Sequence, residues 1–425
     1  MKVLVIGSGG REHALVWALK QSPKVDEVLC APGNAGIAQL AECIALSVND
    51  FEGIAAYAAE QKVDLVVVGP DDPLADGIVD ALQAHGLRVF GPDRKAAEIE
   101  GSKVFMKHLL RKYDIPTAAY AVFDDADTAK RYVREQSMPI VIKADGLAAG
   151  KGVTIAHSLA EAEQVLEEVM VERKFGASGQ QVVIEEFMQG QEMSILAFVD
   201  GETVRVCVPA QDHKPIFDGD EGPNTGGMGT YSPLPQFSEA VFANAVDTIV
   251  QPAARAMVCE GRPFKGLLFA GLMITPEGTP KVVEFNARFG DPETQVVLPR
   301  LKSDLFDVLW AVAEGKLHEV ELEWHEDAAV CVIVASEGYP GAYRKGDVIT
   351  GLDIAAEQAL LFHAGTSRDA DGVWRTNGGR VLGVVGRGED VAAAAAQAYK
   401  AVDMLHFDGV QYRKDIAAKA KTPII

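Results

Sequence analysis

Residues 3–20 read VLVIGSGGREHALVWALK. Four apolar residues, Val3–Ile6, run straight into Gly7-Ser8-Gly9-Gly10, and from His13 to Lys20 the pattern turns helical. A short unbroken apolar run that stops at glycine fits a strand buried on both faces. The pattern recurs: Val28–Ala31 ends at Pro32-Gly33, Val63–Val68 at Gly69-Pro70, and Leu87–Phe90 at Gly91-Pro92. Short apolar strands with helices between them predict a parallel sheet covered on both faces. Residues 1–122 are therefore expected to form an α/β domain.

Beyond it the pattern changes. Residues 123–188 read as a small subdomain: strand Ile140–Lys143, glycine-rich turn, strand Val153–Ala156, helix, strand Val182–Glu185. Ser158 with Glu161 three residues on has capping-box spacing for that helix. Residues 189–325 carry more strands and a polar glycine-rich loop at 218–229, and residues 326–425 add strands at Ala329–Ala335 and Arg380–Val385. A hairpin-like Asn377-Gly378 precedes the last strand, and Val391–Ala401 reads as a helix. The expected class is α/β (α+β) in four parts, with no internal repeat and no low-complexity linker.

The length of 425 residues suggests about three domains at ~150 residues each. The net charge of -21 argues against a general nucleic-acid or anionic-membrane surface. It leaves room for small anions held locally by a few Lys or Arg, by helix N-termini and by cations. Five scattered Cys without a CxxC pair fit a reduced, cytoplasmic setting. The apolar run before Gly7 is too short for a secretory signal, and no stretch approaches the ~20 apolar residues of a membrane helix.

Six segments carry chemistry. The turn Gly7–Glu12 resembles a dinucleotide fingerprint, but Glu12 stands at its sixth position and no acidic residue ends the second strand. A smaller phosphate ligand fits better, with a plain tight turn as the alternative. Loops 32–36 and 69–74 end the next two strands, where ligands of open α/β sheets bind. The loop Lys143–Gly152 is not a Walker A loop, because only three residues separate Gly146 from Gly150-Lys151 and Gly152 stands where Ser or Thr belongs. Its glycines and lysines suit phosphates, and a solvated hairpin is the alternative. In 182–192 an apolar strand leads to Glu185, Glu186, Phe187 and Met188, an adenine slot by composition, with Glu192 placed to accept ribose hydroxyls. Glu185 or Glu186 would meet the adenine amino group or face solvent.

The most informative segment is 281–291, KVVEFNARFGD. On a strand, Val283, Phe285 and Ala287 share a face toward a core, and Glu284, Asn286 and Arg288 share the other. A carboxylate and a carboxamide side by side are hard oxygen ligands for Mg²⁺, and the Arg288 fork suits a carboxylate or phosphate. A half-exposed sheet with a solvated ion pair is the competing explanation. Gly290-Asp291-Pro292-Glu293-Thr294 reads as a turn and a capped helix start.

Taken together, GSGGREHAL, PGNAG, KADGLAAGKGV, AQDHKPIFDGDEGPNTGGMGTYSP and VVEFNARFGDPETQ resemble the ATP-grasp superfamily. Within it they resemble the phosphoribosylamine–glycine ligase (glycinamide ribonucleotide synthetase) family. TNGGRVLGVV at 376–385 resembles that family's C-terminal domain, so the likeness spans nearly the whole chain. Asp71-Asp72 departs from the family's usual GPE-x-PL pattern.

The resemblance implies a two-lobed ATP-grasp core. Lys103 and Lys143 would touch the ATP phosphates, and loop 146–152 with Gly150 and Lys151 would cover them. Glu185, Glu186, Phe187 and Met188 would surround adenine, Glu192 would bind ribose, and Glu284 with Asn286 would hold Mg²⁺ or Mn²⁺. Asp212, His213, Lys214 and the loop with Gly226, Gly227 and Met228 would enclose glycine, alongside Arg288 and Asp291. Gly9, Gly10, Asn34 and Gly36 would hold a ribose phosphate. Arg288, Lys143 and Asp212 are the implied catalytic groups. The activity implied is ATP-dependent ligation of glycine to 5-phosphoribosylamine, with another ATP-grasp ligase or carboxylase as the alternative. The partners implied are small molecules alone, with no nucleic acid and no membrane, for a monomer or weak homodimer.

Overall fold

The computed structural model describes residues 1–147 and 152–422. Gly150 and Lys151 of the expected phosphate loop lie outside the described residues. Strands β1 (Lys2–Gly7), β2 (Glu27–Pro32), β3 (Glu42–Cys43), β4 (Leu65–Val68) and β5 (Val89–Phe90) form one sheet in the order β3-β2-β1-β4-β5, every pair parallel. Its central strand is buried on both sides. Leu4 and Ile6 enter one apolar cluster and Val3 and Val5 the other, which is why the run carries no polar residue. The helix after β1 starts at Gly10 rather than His13, because the glycine turn runs directly into it.

The small subdomain is an antiparallel sheet of β6 (Tyr120–Phe123), β7 (Ile140–Ala144), β8 (Val153–Ala156) and β9 (Val182–Glu186), in the order β6-β9-β7-β8. It has its own core, in which Ile140, Ile142, Val182 and Ile184 pack on Val133 and Leu166. The capping box is half made. Ser158 Oγ accepts from the Glu161 N–H, but the Glu161 carboxylate accepts from His157.

The larger lobe is built on β10 (Gln191–Asp200) and β11 (Thr203–Val206). The short β12 (Gln211–Asp212), the hairpin β13 (Pro215–Phe217) with β14 (Glu221–Asn224), β15 (Gly229–Ser232), β16 (Lys265–Ile274) and β17 (Pro280–Asn286) follow. One sheet runs β11-β10-β16-β17. The C-terminal strands are β18 (Ala328–Ser336), β19 (Leu360–His363), β20 (Thr366–Arg368), β21 (Trp374–Thr376), β22 (Arg380–Gly388) and β23 (Val410–Gln411). Another sheet runs β12-β15-β18-β22-β19, with β23 added on β18. Hydrogen bonding therefore continues across residue 325, since β15 pairs with β18 over Gly229–Ser232.

Three local readings are corrected. First, β17 does not alternate evenly. Opposite β16, Leu272 faces Val282 and Gly271 faces Glu284, so Val283 is an extra, bulged residue. Val282 takes the core place expected of Val283, while Phe285 and Ala287 are buried as the alternation requires. Second, Asn377-Gly378 is not a two-residue hairpin: β21 pairs with β20, and β22 pairs with β18 and β19. Third, the helix Thr294–Arg300 has no side-chain cap, and Thr294 instead donates its hydroxyl back to Gly290 O at 2.5 Å.

Candidate active site

The bulged residue Val283 makes a contact across the two lobes. The Val283 carbonyl, on the edge strand of its sheet, accepts from Lys143 Nζ on β7 at 3.0 Å. The small subdomain thereby reaches the edge of the large sheet. Lys143 also lies 3.0 Å from Glu185 Oε1, and Lys107 Nζ lies 3.1 Å from Glu185 Oε2. Lys107 is fully buried and donates to Thr117 Oγ1 at 2.7 Å. Burial pulls its ammonium down to about 8, against the pull of Glu185. Glu185 is buried between two lysines and does not face solvent. Glu186 is exposed and accepts from the Ala119 N–H, and Phe187 is 37% exposed beside the half-buried Met188.

Glu284 projects from β17 as expected. Lys214 first, and then Lys143, Lys103 and Arg288, hold its carboxyl down at about 2 although burial opposes this. The Lys214 ammonium lies 3.4 Å from Glu284 Oε1 and is raised mainly by Glu284 and Glu192. Lys103 begins the helix Lys103–Lys112 and donates to Gly146 O at 2.5 Å, at the near end of the glycine loop. Asn286 is buried and accepts from Arg288 at 3.2 Å. Arg288 lies 3.1 Å from Glu100 and 3.8 Å from Asp71. Burial would raise Asp71, yet Arg288 and Arg11 keep it below the ordinary carboxylate range. Asp71, not Asp72, is therefore the residue of the variant loop that faces the site.

The glycine-rich loop is clamped from the C-terminal strands. Arg380 donates to Gly226 O and Asp291 O, each at 2.9 Å, and lies 3.1 Å from Asp291 Oδ2. Tyr339 Oη accepts from the Gly226 N–H. Gly227 has φ +118°, and a Cβ there would lie 2.7 Å from Asp212 Oδ1 and collide with Pro292. Two residues expected around glycine are engaged elsewhere within the protein. Met228 is buried in the core, its N–H given to His213 O and its carbonyl accepting from Ile333. His213 is turned away: its Nδ1 pairs with Gly229 O and its Nε2 with the Ala417 N–H, and burial lowers it to about 4, leaving it neutral.

At the N-terminal turn, Glu12 explains the failed fingerprint. Its carboxylate accepts from the Gly9 N–H at 2.7 Å and from Arg11 at 2.5 Å. It fills the space against Gly7 and Gly69, where no Cβ fits. Asn34 is fully used in shaping its loop: it donates to Ser8 O and His363 O and accepts from Gly36 and Ile37. Gly36 packs on the His363 ring and Gly10 beside Gln295. Asn34 borders a cleft of about 410 Å³, lined also by Ser8, Thr366, Ser367, Arg368 and Asn377 among others.

Sequence reasoning missed Glu100, Lys107, Glu293 and Arg380. Glu293 and Arg380 lie inside quoted motifs, but Glu100 and Lys107 sit in ordinary helical segments that give no sign of the site. Among the described residues no cluster of three or more His, Cys, Asp or Glu side chains is arranged to hold a metal by itself. Among them, no helix is long and apolar enough to cross a membrane.

Three family models match successive parts of the chain. They are phosphoribosylglycinamide synthetase N domain over residues 1–100, ATP-grasp (A) domain over 101–294 and C domain over 329–419. A phosphoribosylamine–glycine ligase of Halalkalibacterium halodurans is 54% identical over 99% of this chain and 97% of its own. That of Caldanaerobacter subterraneus is 50% identical over 98% of this chain and 100% of its own. The crystal structure of phosphoribosylamine–glycine ligase from Thermotoga maritima superimposes with a TM-score of 0.86 at 34% identity, covering 98% of this chain and 100% of that one. A biotin carboxylase domain from Hydrogenobacter thermophilus shares the fold at a TM-score of 0.75 and 16% identity, over 97% and 91% of the two chains.

Proposed function

The chain belongs to the phosphoribosylglycinamide synthetase family, and from that we propose that it joins glycine to 5-phosphoribosylamine in purine biosynthesis, with ATP cleaved to ADP and phosphate. The observation that carries the reading is the convergence of Lys103, Lys143, Lys214 and Arg288 on the Glu284 carboxylate. These cations come from the first helix of the ATP-grasp region, the small sheet, the link between β12 and β13 and the turn after β17.

In this reading Lys103 and Lys143 bind the nucleotide phosphates, Phe187 and Met188 flank adenine, and Glu192 takes the ribose hydroxyls. Glu185 sets the position of Lys143 and does not touch the base. Glu284 and Asn286 fit Mg²⁺ or Mn²⁺, because they offer two adjacent hard oxygen donors and the carboxylate is held ionised. Such a cation, when bound, neutralises charge on the terminal phosphates. A glycine carboxylate oxygen attacks the γ-phosphorus, ADP leaves, and the phosphoribosylamine nitrogen then displaces phosphate from the acyl phosphate. No protein nucleophile is required. Arg288 and the lysines orient and neutralise, and the glycine-rich loop excludes water from the acyl phosphate.

Residues 1–122 and the cleft beside Asn34 supply the phosphoribosylamine site, 123–188 the lid, 189–325 the nucleotide and glycine floor, and 326–425 the clamp. We assign the protein to the cytoplasm as a monomer or weak homodimer acting on small molecules. ADP release is expected to require both glycine and phosphoribosylamine, and Glu284→Ala to lower kcat/KM by roughly 10²–10³-fold. Undiminished turnover in that variant would sink the reading, and a bicarbonate requirement would point to a carboxylase instead.

A further inference from the structure

A cavity of about 250 Å³ lies on the seam between the N-terminal helix Gly10–Leu19 and the C-terminal strand β19. A water takes up ~30 Å³, so the space admits a bicyclic ring. Its inner wall is aromatic: His13, Phe362 and His363 are buried, and Trp17 and Trp374 are half-buried. Trp17 meets Phe362 edge-on with ring centres 5.9 Å apart, and Trp374 lies 4.8 Å from the His363 ring. The His363 N–H donates to His13 Nδ1 at 2.7 Å. Burial lowers His13 to about 3, so its ring is neutral and its one proton sits on Nε2. Among the described residues that N–H, on a side chain 4% exposed, has no acceptor. A buried donor left unpaired is costly, and His13 lines the cavity, from which an acceptor can reach it.

From this geometry we infer that the cavity is an effector site for a flat, uncharged heteroaromatic ring that presents an acceptor atom to His13. Aromatic walls favour a π-face over an aliphatic chain. A cation is disfavoured, because the His13 donor repels it and the Arg368 guanidinium already lies 5.5 Å from the Trp374 ring centre. An anion is disfavoured by Asp353 at the exposed rim. The cavity shares a wall with the cleft beside Asn34. The His363 carbonyl accepts from Asn34 at 2.9 Å, and its Nδ1 pairs with Thr366 Oγ1 at 2.9 Å. Asn34, Thr366 and Arg368 all line that cleft. A ring packed on His363 and Trp374 therefore supports the arrangement that holds the cleft in shape, and favours whatever binds there. This effect on the cleft rests on the ligase reading above, whereas the binding itself does not.

The test titrates the full-length protein by calorimetry at pH 8, with MgADP saturating so that the nucleotide site is filled. The probes are benzimidazole and indole, which match in shape but differ in one acceptor nitrogen. Benzimidazole is expected to bind with a Kd on the order of 1 mM or tighter, and indole about ten-fold more weakly. Ala356→Trp, at the exposed rim, should weaken benzimidazole about ten-fold or more by filling the space. Equal affinity for the two probes, unchanged affinity in Ala356→Trp, or tighter binding of choline overturns the site. Should that variant not fold, the contrast between probes in the wild type decides. With ATP and glycine saturating, benzimidazole is expected to lower the KM for phosphoribosylamine about two-fold or more. A KM unchanged by bound benzimidazole overturns the effector role. Failure of the ligase reading looks different, because the wild type would then release no ADP in response to glycine and phosphoribosylamine, with or without the probe.

Discussion

Glu185 divides its two oxygens between Lys107 and Lys143, all three groups nearly dry. Removing the charge from the middle of such a triad strands two buried ammoniums. Glu185→Gln, which keeps the shape, is expected to destabilise the protein by about 3 kcal/mol. Urea unfolding at pH 7 measures this, and a change below about 1 kcal/mol would show that the pair is already compensated by water. The pairing was not legible in the sequence. Glu185 and Glu186 look alike there, and only the register of β9 against β6 and β7 turns the first inward and the second out. Glu284, Asn286 and Lys214 were legible, because they stand in segments whose residue types have no comfortable apolar use.

The glycine-rich loop and β17 show the limit of pattern reading for whole elements. Period-two alternation located β17 and put Glu284 on the site face, but it placed Val283 in the core, where Val282 lies. A bulge depends on the register with the partner strand, and nothing within β17 itself marks that Gly271 of β16 faces Glu284. In the loop, glycines differ in what they permit. Gly227→Ala forces a Cβ against Asp212 and Pro292 at φ +118°, whereas Gly219 at φ +72° has open space around it. Gly227→Ala should therefore cost about 2–3 kcal/mol and raise the glycine KM, and Gly219→Ala only about 1 kcal/mol with kinetics intact. Equal losses in the two variants, followed by thermal unfolding and initial rates, would mean that contact with Asp212 is unimportant.

At the scale of the molecule, the parallel N-terminal sheet and the separate lid core followed from apolar runs and their glycine stops. The joining of β15 to β18 did not, since nothing local in either strand names its partner. A chain ending at residue 325 is expected to elute as aggregate in size-exclusion chromatography and to lack ligase turnover. It would expose β15 as an open edge and lose Arg380. A monodisperse, active fragment would refute this.

Arg413, 1% exposed, holds Asp220 at 2.9 Å and the Pro215 carbonyl at 3.1 Å. The segment 215–229 is thus pinned by residues made nearly two hundred positions later. During synthesis the nucleotide-binding lobes leave the ribosome well before those pins, so the newborn chain can gather ATP contacts before it can enclose an amino acid. In the proposed reading, competence to protect an acyl phosphate arrives only once Arg413 has been made and docked.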